Sequence, residues 1–205
     1  MKLSTQHLGT TYQFHSLKEV LAKANEEKSG DRLAGIAAQS VQERIAAKTV
    51  VSNLLLKEIR ENPLLSPEED EVSRIIEKQI SEIIYDQIKN WSVAELREYI
   101  LSNEITGEDL KQLSKGLNSE MIAAVTKLMS NMDLVHAANK IEVLTTCNTT
   151  IGYKGTLASR LQPNHPADSV EGMLASLREG LAYGIGDCVI GINPVDDSVE
   201  SVKRL

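Results

Sequence analysis

Large aromatic side chains are almost missing from this chain of 205 residues: it has one Trp, one Phe and five Tyr, 3% of the total. A core built without rings has to be assembled from Leu, Ile, Val and Ala. Cysteine is nearly absent too. Cys147 and Cys188 are the only two, which fits a reducing compartment and requires no disulfide. The four histidines, His7, His15, His136 and His165, are scattered, without the paired spacing of a zinc site. Positive charge is in deficit, with 22 Lys and Arg against 29 Asp and Glu, net -7. That balance argues against nucleic acid as a partner. No apolar run reaches the roughly 18 residues that a membrane span needs, so no membrane partner is expected. The opening MKLSTQHLGTTYQ lacks the apolar core of a signal peptide. These absences predict a cytoplasmic protein. There is no internal repeat, low-complexity tract or Gly/Ser linker.

What is present reads first as helix. Met1 to Gln13 is polar and extended in character. Ser16-Leu17-Lys18-Glu19 is a capping-box pattern, followed by Val20, Leu21 and Ala24 at helical spacing. Gly30 is expected to end that helix and Asp31 to cap an alanine-rich one through Ala47. Ser66-Pro67-Glu68-Glu69 predicts a further helix start. The isoleucine-rich stripe from Val72 to Ile88 follows it. A second capping box, Ser92 to Glu95, opens the next helix, with Trp91 placed to staple its start. Acidic clusters at Glu68 to Glu71 and Glu104 to Asp109 read as solvated helix starts. Met121 to Met132 reads as one core helix.

The pattern changes near Ile141 to Asn148, after which strand and helix alternate. The stretch Asn148 to Asn164 reads as a strand carrying Arg160 and Gln162 two apart at its end, on one face. Pro163 then stops it. The guanidinium can donate to a hydroxyl oxygen, and the amide oxygen can accept from an ammonium. Gly184 to Pro194 reads as a second strand. Its run Cys188, Val189, Ile190 and Ile192 suits burial on both faces of a parallel sheet, and it too ends in a polar residue before proline, Asn193-Pro194. Between them Ser169 caps a helix carrying Met173, Leu174, Leu177 and Leu181. Strand–helix–strand implies parallel strands, with ligands at their C-terminal ends. Arg160, Gln162 and Asn193 are at those ends. Gly152, Gly155, Gly184, Gly186 and Gly191 form no phosphate-loop or dinucleotide fingerprint.

Four segments, SGDRLAGIAAQSVQERIAAK, YDQIKNWSVAELREYIL, TTIGYKGTLASRLQPN and GLAYGIGDCVIGINPVDDSVE, carry a resemblance to the large subunit of adenosylcobalamin-dependent ethanolamine ammonia-lyase. It runs along essentially the whole chain in register. The fold implied is α/β: a helical N-terminal region, 1–146, followed over 147–205 by the first two strands of a (β/α)8 TIM barrel and the helix between them. The family chain is about twice as long, so this sequence resembles its N-terminal portion, with the barrel incomplete.

The resemblance implies a lyase that splits ethanolamine into acetaldehyde and ammonia by radical chemistry started at the cobalt–carbon bond of adenosylcobalamin. It implies Arg160 on the substrate hydroxyl, Gln162 on the amino group and Asn193 between the two. It also implies a backbone contact from Pro194 to the cobalamin, and no cobalt ligand from this chain. The family's carboxylates for the ammonium lie on strands beyond Leu205, which makes this chain inactive alone. Asp133-Leu134-Val135-His136 is only faintly similar to the box by which some cobalamin mutases supply a histidine to cobalt. Its spacing differs and its Gly is missing, so His136 reads as a helix residue. A small subunit, self-association of large subunits and a bacterial microcompartment belong to the same implication. One alternative is a non-catalytic helical assembly module ending in a vestigial strand–helix–strand. Another is a different (β/α)8 lyase sharing only the front end, against which Arg160-x-Gln162 together with Asn193-Pro194 speaks.

Overall fold

The computed structural model describes residues 1–146, 149–186 and 189–205. The two cysteines, and Asn148 at the head of the candidate strand, lie outside the described residues. The chain divides into two compact units, Met1–Ile141 and Glu142–Leu205. Its class is α/β, with short strands and no closed barrel among the described residues.

Unit 1 opens with strands β1 (Ser4–His7) and β2 (Thr10–Gln13), paired antiparallel from Ser4 opposite Gln13 to His7 opposite Thr10. The two-residue turn puts Leu8 at φ 48 and Gly9 at φ 79, the left-handed pair whose twist matches that of a hairpin. Helices then follow: α1 (Leu17–Lys23), α2 (Ser29–Leu33), α3 (Val41–Asn53), α4 (Leu56–Arg60), α5 (Glu71–Gln79), α6 (Glu82–Ile88), α7 (Val93–Leu101), α8 (Gly107–Ser114), α9 (Ser119–Thr126) and α10 (Asn131–Lys140).

Short polar side chains start many of them. The hydroxyls of Ser16, Ser40, Ser92, Thr106 and Ser130 each accept the N–H three residues on. This satisfies a donor that the helix leaves unpaired. At Ser92 the box is reciprocal, since Ser92 N donates to Glu95 Oε2 at 2.6 Å. Trp91 packs on Tyr99 of the same helix, with ring centroids 5.1 Å apart. At Ser16 the box is not reciprocal, because Glu19 Oε2 takes the N–H of His15 instead, at 2.7 Å.

Several helix boundaries depart from the sequence reading, each for a non-local or turn-specific reason. α1 ends at Lys23 rather than near Gly30, and Asn25 beyond it is held by Lys127 Nζ at 2.6 Å. Gly30 and Asp31 both lie inside the five-residue α2. Gly35, at φ 68, breaks the alanine-rich run before α3. Ser66-Pro67 forms a turn, and α5 starts later, where Asp70 accepts the N–H of Ser73 at 2.7 Å. The isoleucine stripe is split between α5 and α6 at Ile80-Ser81, where Ser81 N donates to Lys115 O at 2.7 Å. The Met121 to Met132 stretch is likewise two helices, α9 and α10.

The core of unit 1 is aliphatic, as the scarcity of rings demands. Leu54, Leu56, Ile59, Leu96, Met121, Val20, Val51, Val93 and Val125 are each less than 2% exposed. Each such side chain favours folding by roughly 1.5–3 kcal/mol relative to exposure. Phe14 and Tyr85 are the only aromatics among its buried members. Arg60 lies over the Tyr85 ring at 4.2 Å and is bonded to Glu77 and Glu82, which holds its guanidinium well above the usual arginine range, first through Glu82.

Unit 2 contains a small antiparallel pair, β3 (Thr145–Thr146) with β4 (Thr150–Ile151), and then β5 (Arg160–Leu161), α11 (Val170–Ala182), β6 (Val189–Ile190) and α12 (Val199–Arg204). β5 and β6 pair in parallel, Arg160 opposite Val189 and Leu161 opposite Ile190. A parallel pair with a helix in its connection is the strand–helix–strand unit expected from the sequence.

Candidate functional site

The candidate residues lie at the C-terminal ends of β5 and β6. Pairing continues one step past the strands, with Gly191 N donating to Leu161 O at 2.9 Å. β5 itself ends at Leu161, so Gln162 follows the strand instead of closing it, and it is exposed. Pro163 behind it is buried. Arg160 projects its guanidinium across the backbone of Gly191. A Cβ at 191 would meet that guanidinium, so a larger residue there would move the exposed Arg160 side chain off this path. Asn193 is exposed two positions further on, and Pro194 is half-buried. The fold thus lays Arg160 against the exit of β6, and Gln162 and Asn193 leave the ends of the same paired strands.

One expectation is corrected. Val189, Ile190 and Ile192 were expected to be buried on both faces; they are 38%, 45% and 41% exposed. Cys188, in the same expectation, lies outside the described residues. The β5–β6 sheet has two strands, and two strands cannot cover their own faces. The same openness shows on α11. Ser169 Oγ accepts Gly172 N at 3.3 Å as the cap predicts, and Met173 is buried, but Leu174 and Leu181 are 42% and 46% exposed.

The loops around these strand ends are tightly built. Asp168 is 5% exposed and sits at φ 47, a left-handed conformation that Asp tolerates better than most residues. Its carboxylate accepts Val195 N at 2.9 and 3.1 Å and Asp196 N at 2.9 Å. Ser201 Oγ donates to it at 3.3 Å. The backbone N–H groups of Asp196 and Val195, in that order, hold its carboxyl below the usual aspartate range. His165 Nδ1 accepts Ala167 N at 3.2 Å and Ser169 N at 3.4 Å, which ties the turn that leads to Asp168. Sequence reasoning missed both Asp168 and Gly191. Asp168 carried a faint signal, an acidic residue between a Pro-Ala turn and a helix cap. Gly191 carried none, because its role depends on the register of the neighbouring strand.

Chemically, the strand ends present a permanent cation with several donors, Arg160, and two amides that can each donate and accept, Gln162 and Asn193. That set suits a small ligand carrying a hydroxyl and an amine. Among the described residues, no three His, Cys, Asp or Glu side chains gather as a metal site requires. Nor is any helix long and apolar enough to cross a membrane. Unit 1 has a cavity of about 1020 Å³ lined partly by Lys28, Lys48 and Lys127. Two of these lysines are already engaged, Lys127 with Asn25 and Lys48 with Glu26.

Residues 12–205 match the family model described as "Ethanolamine ammonia lyase large subunit (EutB)". The chain is 52% identical over 205 residues to the protein of Escherichia coli strain K12 called ethanolamine ammonia-lyase large subunit. It is equally similar, at 52%, to the protein of the same name from Salmonella typhimurium strain LT2. Each alignment covers 100% of this chain and 45% of the relative, so the chain spans a little under half the length of the curated relatives it matches.

Proposed function

Because the chain belongs to the ethanolamine ammonia-lyase large-subunit family, we propose that it supplies the N-terminal part of an enzyme that splits ethanolamine into acetaldehyde and ammonia. The observation that carries this reading is the 52% identity across all 205 residues. The parallel β5–α11–β6 unit, with Arg160 at its C-terminal end, supports it. In this reading β5 and β6 are the first strands of a (β/α)8 barrel over 147–205, and 1–146 is the helical region before it.

Arg160 donates to the substrate hydroxyl oxygen and stabilises the charge that develops there as the amino group migrates. The Gln162 amide oxygen accepts from the ammonium, and Asn193 bridges the two groups through its donor and acceptor. Pro194 meets the cofactor through its backbone. Val195, next to Pro194, is apolar and 68% exposed, which supports an apolar contact at that point. Adenosylcobalamin, when bound, supplies the radical chemistry; the protein orients the substrate and keeps water out. A small subunit, association between large subunits and residence in the cytoplasm, within a bacterial microcompartment, complete the reading.

A second reading has one observation in its favour. Unit 1 is mostly helical with its own core and leaves Leu33 and Val41 90% and 57% exposed, as a non-catalytic assembly module would. Aldehyde release from ethanolamine separates the two, measured on the full-length large subunit with the small subunit and adenosylcobalamin. The lyase reading expects Arg160→Ala to lose about 2–4 kcal/mol of transition-state stabilisation. Unchanged turnover in that variant overturns it in favour of the module.

A further inference from the structure

The buried carboxylate of Asp168 is not among the substrate or cofactor contacts proposed above. Among the described residues it is the one buried side chain that carries a formal charge, the other buried polar residues being Asn118 and Ser201. Asn118 is accounted for as the cap of α9, where it accepts Met121 N at 2.9 Å. Asp168 caps no helix. It belongs to the connection that leaves β5 through Gln162, and both its oxygens reach the connection that leaves β6. The bonds land on Val195 and Asp196, immediately after Asn193-Pro194. The Ser201 hydroxyl adds a bond from α12, and the Asp168 carbonyl accepts from Arg204 at 3.5 Å. On its own side, Asp168 N donates to His165 O at 3.0 Å. The His165 ring in turn lies so close over Gly172 of α11 that a Cβ there would collide with it.

We propose that Asp168 is a positioning residue that ties the connection after β5 to the connection after β6, and so fixes the spacing of Arg160 and Gln162 from Asn193 and Pro194. This inference rests on the lyase reading of those four residues. An anionic acceptor is suited to the task, because hydrogen bonds from backbone N–H groups to a carboxylate are shorter and stronger than those to a neutral oxygen. The cost is a non-glycine residue held at positive φ, strain of the kind that persists where the surroundings over-determine it. Sites that bind one small ligand from two connections are sensitive to this spacing, and a misplacement of about 1 Å can cost roughly 100-fold in rate.

The test uses the full-length large subunit with the small subunit and adenosylcobalamin, following aldehyde release against ethanolamine concentration. Asp168→Asn keeps the size and the tolerance of positive φ but replaces one acceptor oxygen with a donor. The expected result is a rise in KM of at least about 10-fold and a loss in kcat/KM approaching 100-fold. A purely structural role would lower the active fraction and leave KM unchanged, so an unchanged KM overturns the inference. Ile59→Val in unit 1 is the stability control and is expected to keep the wild-type KM; an equal KM rise there also overturns it. If Asp168→Asn fails to assemble, Ser201→Ala decides: a several-fold rise in KM supports the tie, and no rise overturns it. Arg160→Ala is run alongside. Full turnover in that variant removes the lyase reading itself; loss there with wild-type KM in Asp168→Asn removes the positioning inference alone.

Discussion

Unit 1 and unit 2 are built from similar residues, yet only the first has a continuous buried core among the described residues. All members of the continuous buried cluster, from Phe14 to Ala137, lie in unit 1. In unit 2, Met173 is the one large hydrophobic side chain that is buried among the described residues. The difference does not come from composition, since β6 and α11 carry Val, Ile and Leu as freely as α3 or α7. It comes from what each element has to lie against. Most helices of unit 1 bury a face in the common core, α2 and α5 excepted, whereas β5 and β6 pair only with each other among the described residues. Leu161 packs on α11 at Gly180, but Ile190 stays 45% exposed. Apolar strands of this kind stay open because the described residues supply no second neighbour to cover them.

The sharpest way to break this comparison is to separate the units. Residues 1–141 are expected to give a cooperative unfolding transition alone, and residues 142–205 to give none, as followed by circular dichroism against denaturant. A cooperative transition in the second fragment would contradict the picture of an open unit. Next in size, Ile59→Ala in the 205-residue chain should cost about 2–5 kcal/mol in chemical denaturation, because the side chain is fully buried. Val189→Ala, at 38% exposure, should stay within about 0.5 kcal/mol. Equal costs would erase the contrast. Smaller again, Ser92→Ala removes the reciprocal cap of α7 and should cost about 1 kcal/mol.

The last effect is set by pH. The N–H of Ser130, and then the Arg97 guanidinium, hold the Asp133 carboxyl below the usual aspartate range. A lowered folded-state value stabilises the fold above the unfolded value of about 3.9 and is lost as pH falls through the folded value. The difference in melting temperature between wild type and Asp133→Asn should therefore be largest near neutral pH and shrink below about pH 4. A difference that does not change with pH would show that the charge contributes nothing there.

Much of the helical architecture was readable from local chemistry. Ser92 and Glu95, or Ser169 before α11, announce a helix start within four residues. What local pattern could not show was where distant chain intervenes. The isoleucine stripe from Val72 to Ile88 is continuous in sequence, and only the bond from Ser81 to Lys115 reveals why it breaks. Arg160, Gln162 and Asn193 were legible as polar residues at strand ends before proline. The two features that fix their surroundings were not. Gly191 matters because Arg160 crosses it from the next strand, and Asp168 because it reaches a loop 27 positions away. The burial expected of Val189, Ile190 and Ile192 failed for the same reason, since it presumed neighbouring strands that the described residues do not supply.

The confinement of the core to unit 1 also bears on synthesis. A chain leaves the ribosome from its N-terminus at about 5–20 residues per second, and domains tend to fold as they emerge. The last buried member of the cluster is Ala137, and Arg160 follows roughly 20 residues later, a delay of about 1–4 s at that pace. Unit 1 has time to close before the open-faced strands emerge. The nascent chain then presents sticky, half-covered β5 and β6 beside a finished domain rather than beside a second uncollapsed segment, which limits the wrong partners those strands can find.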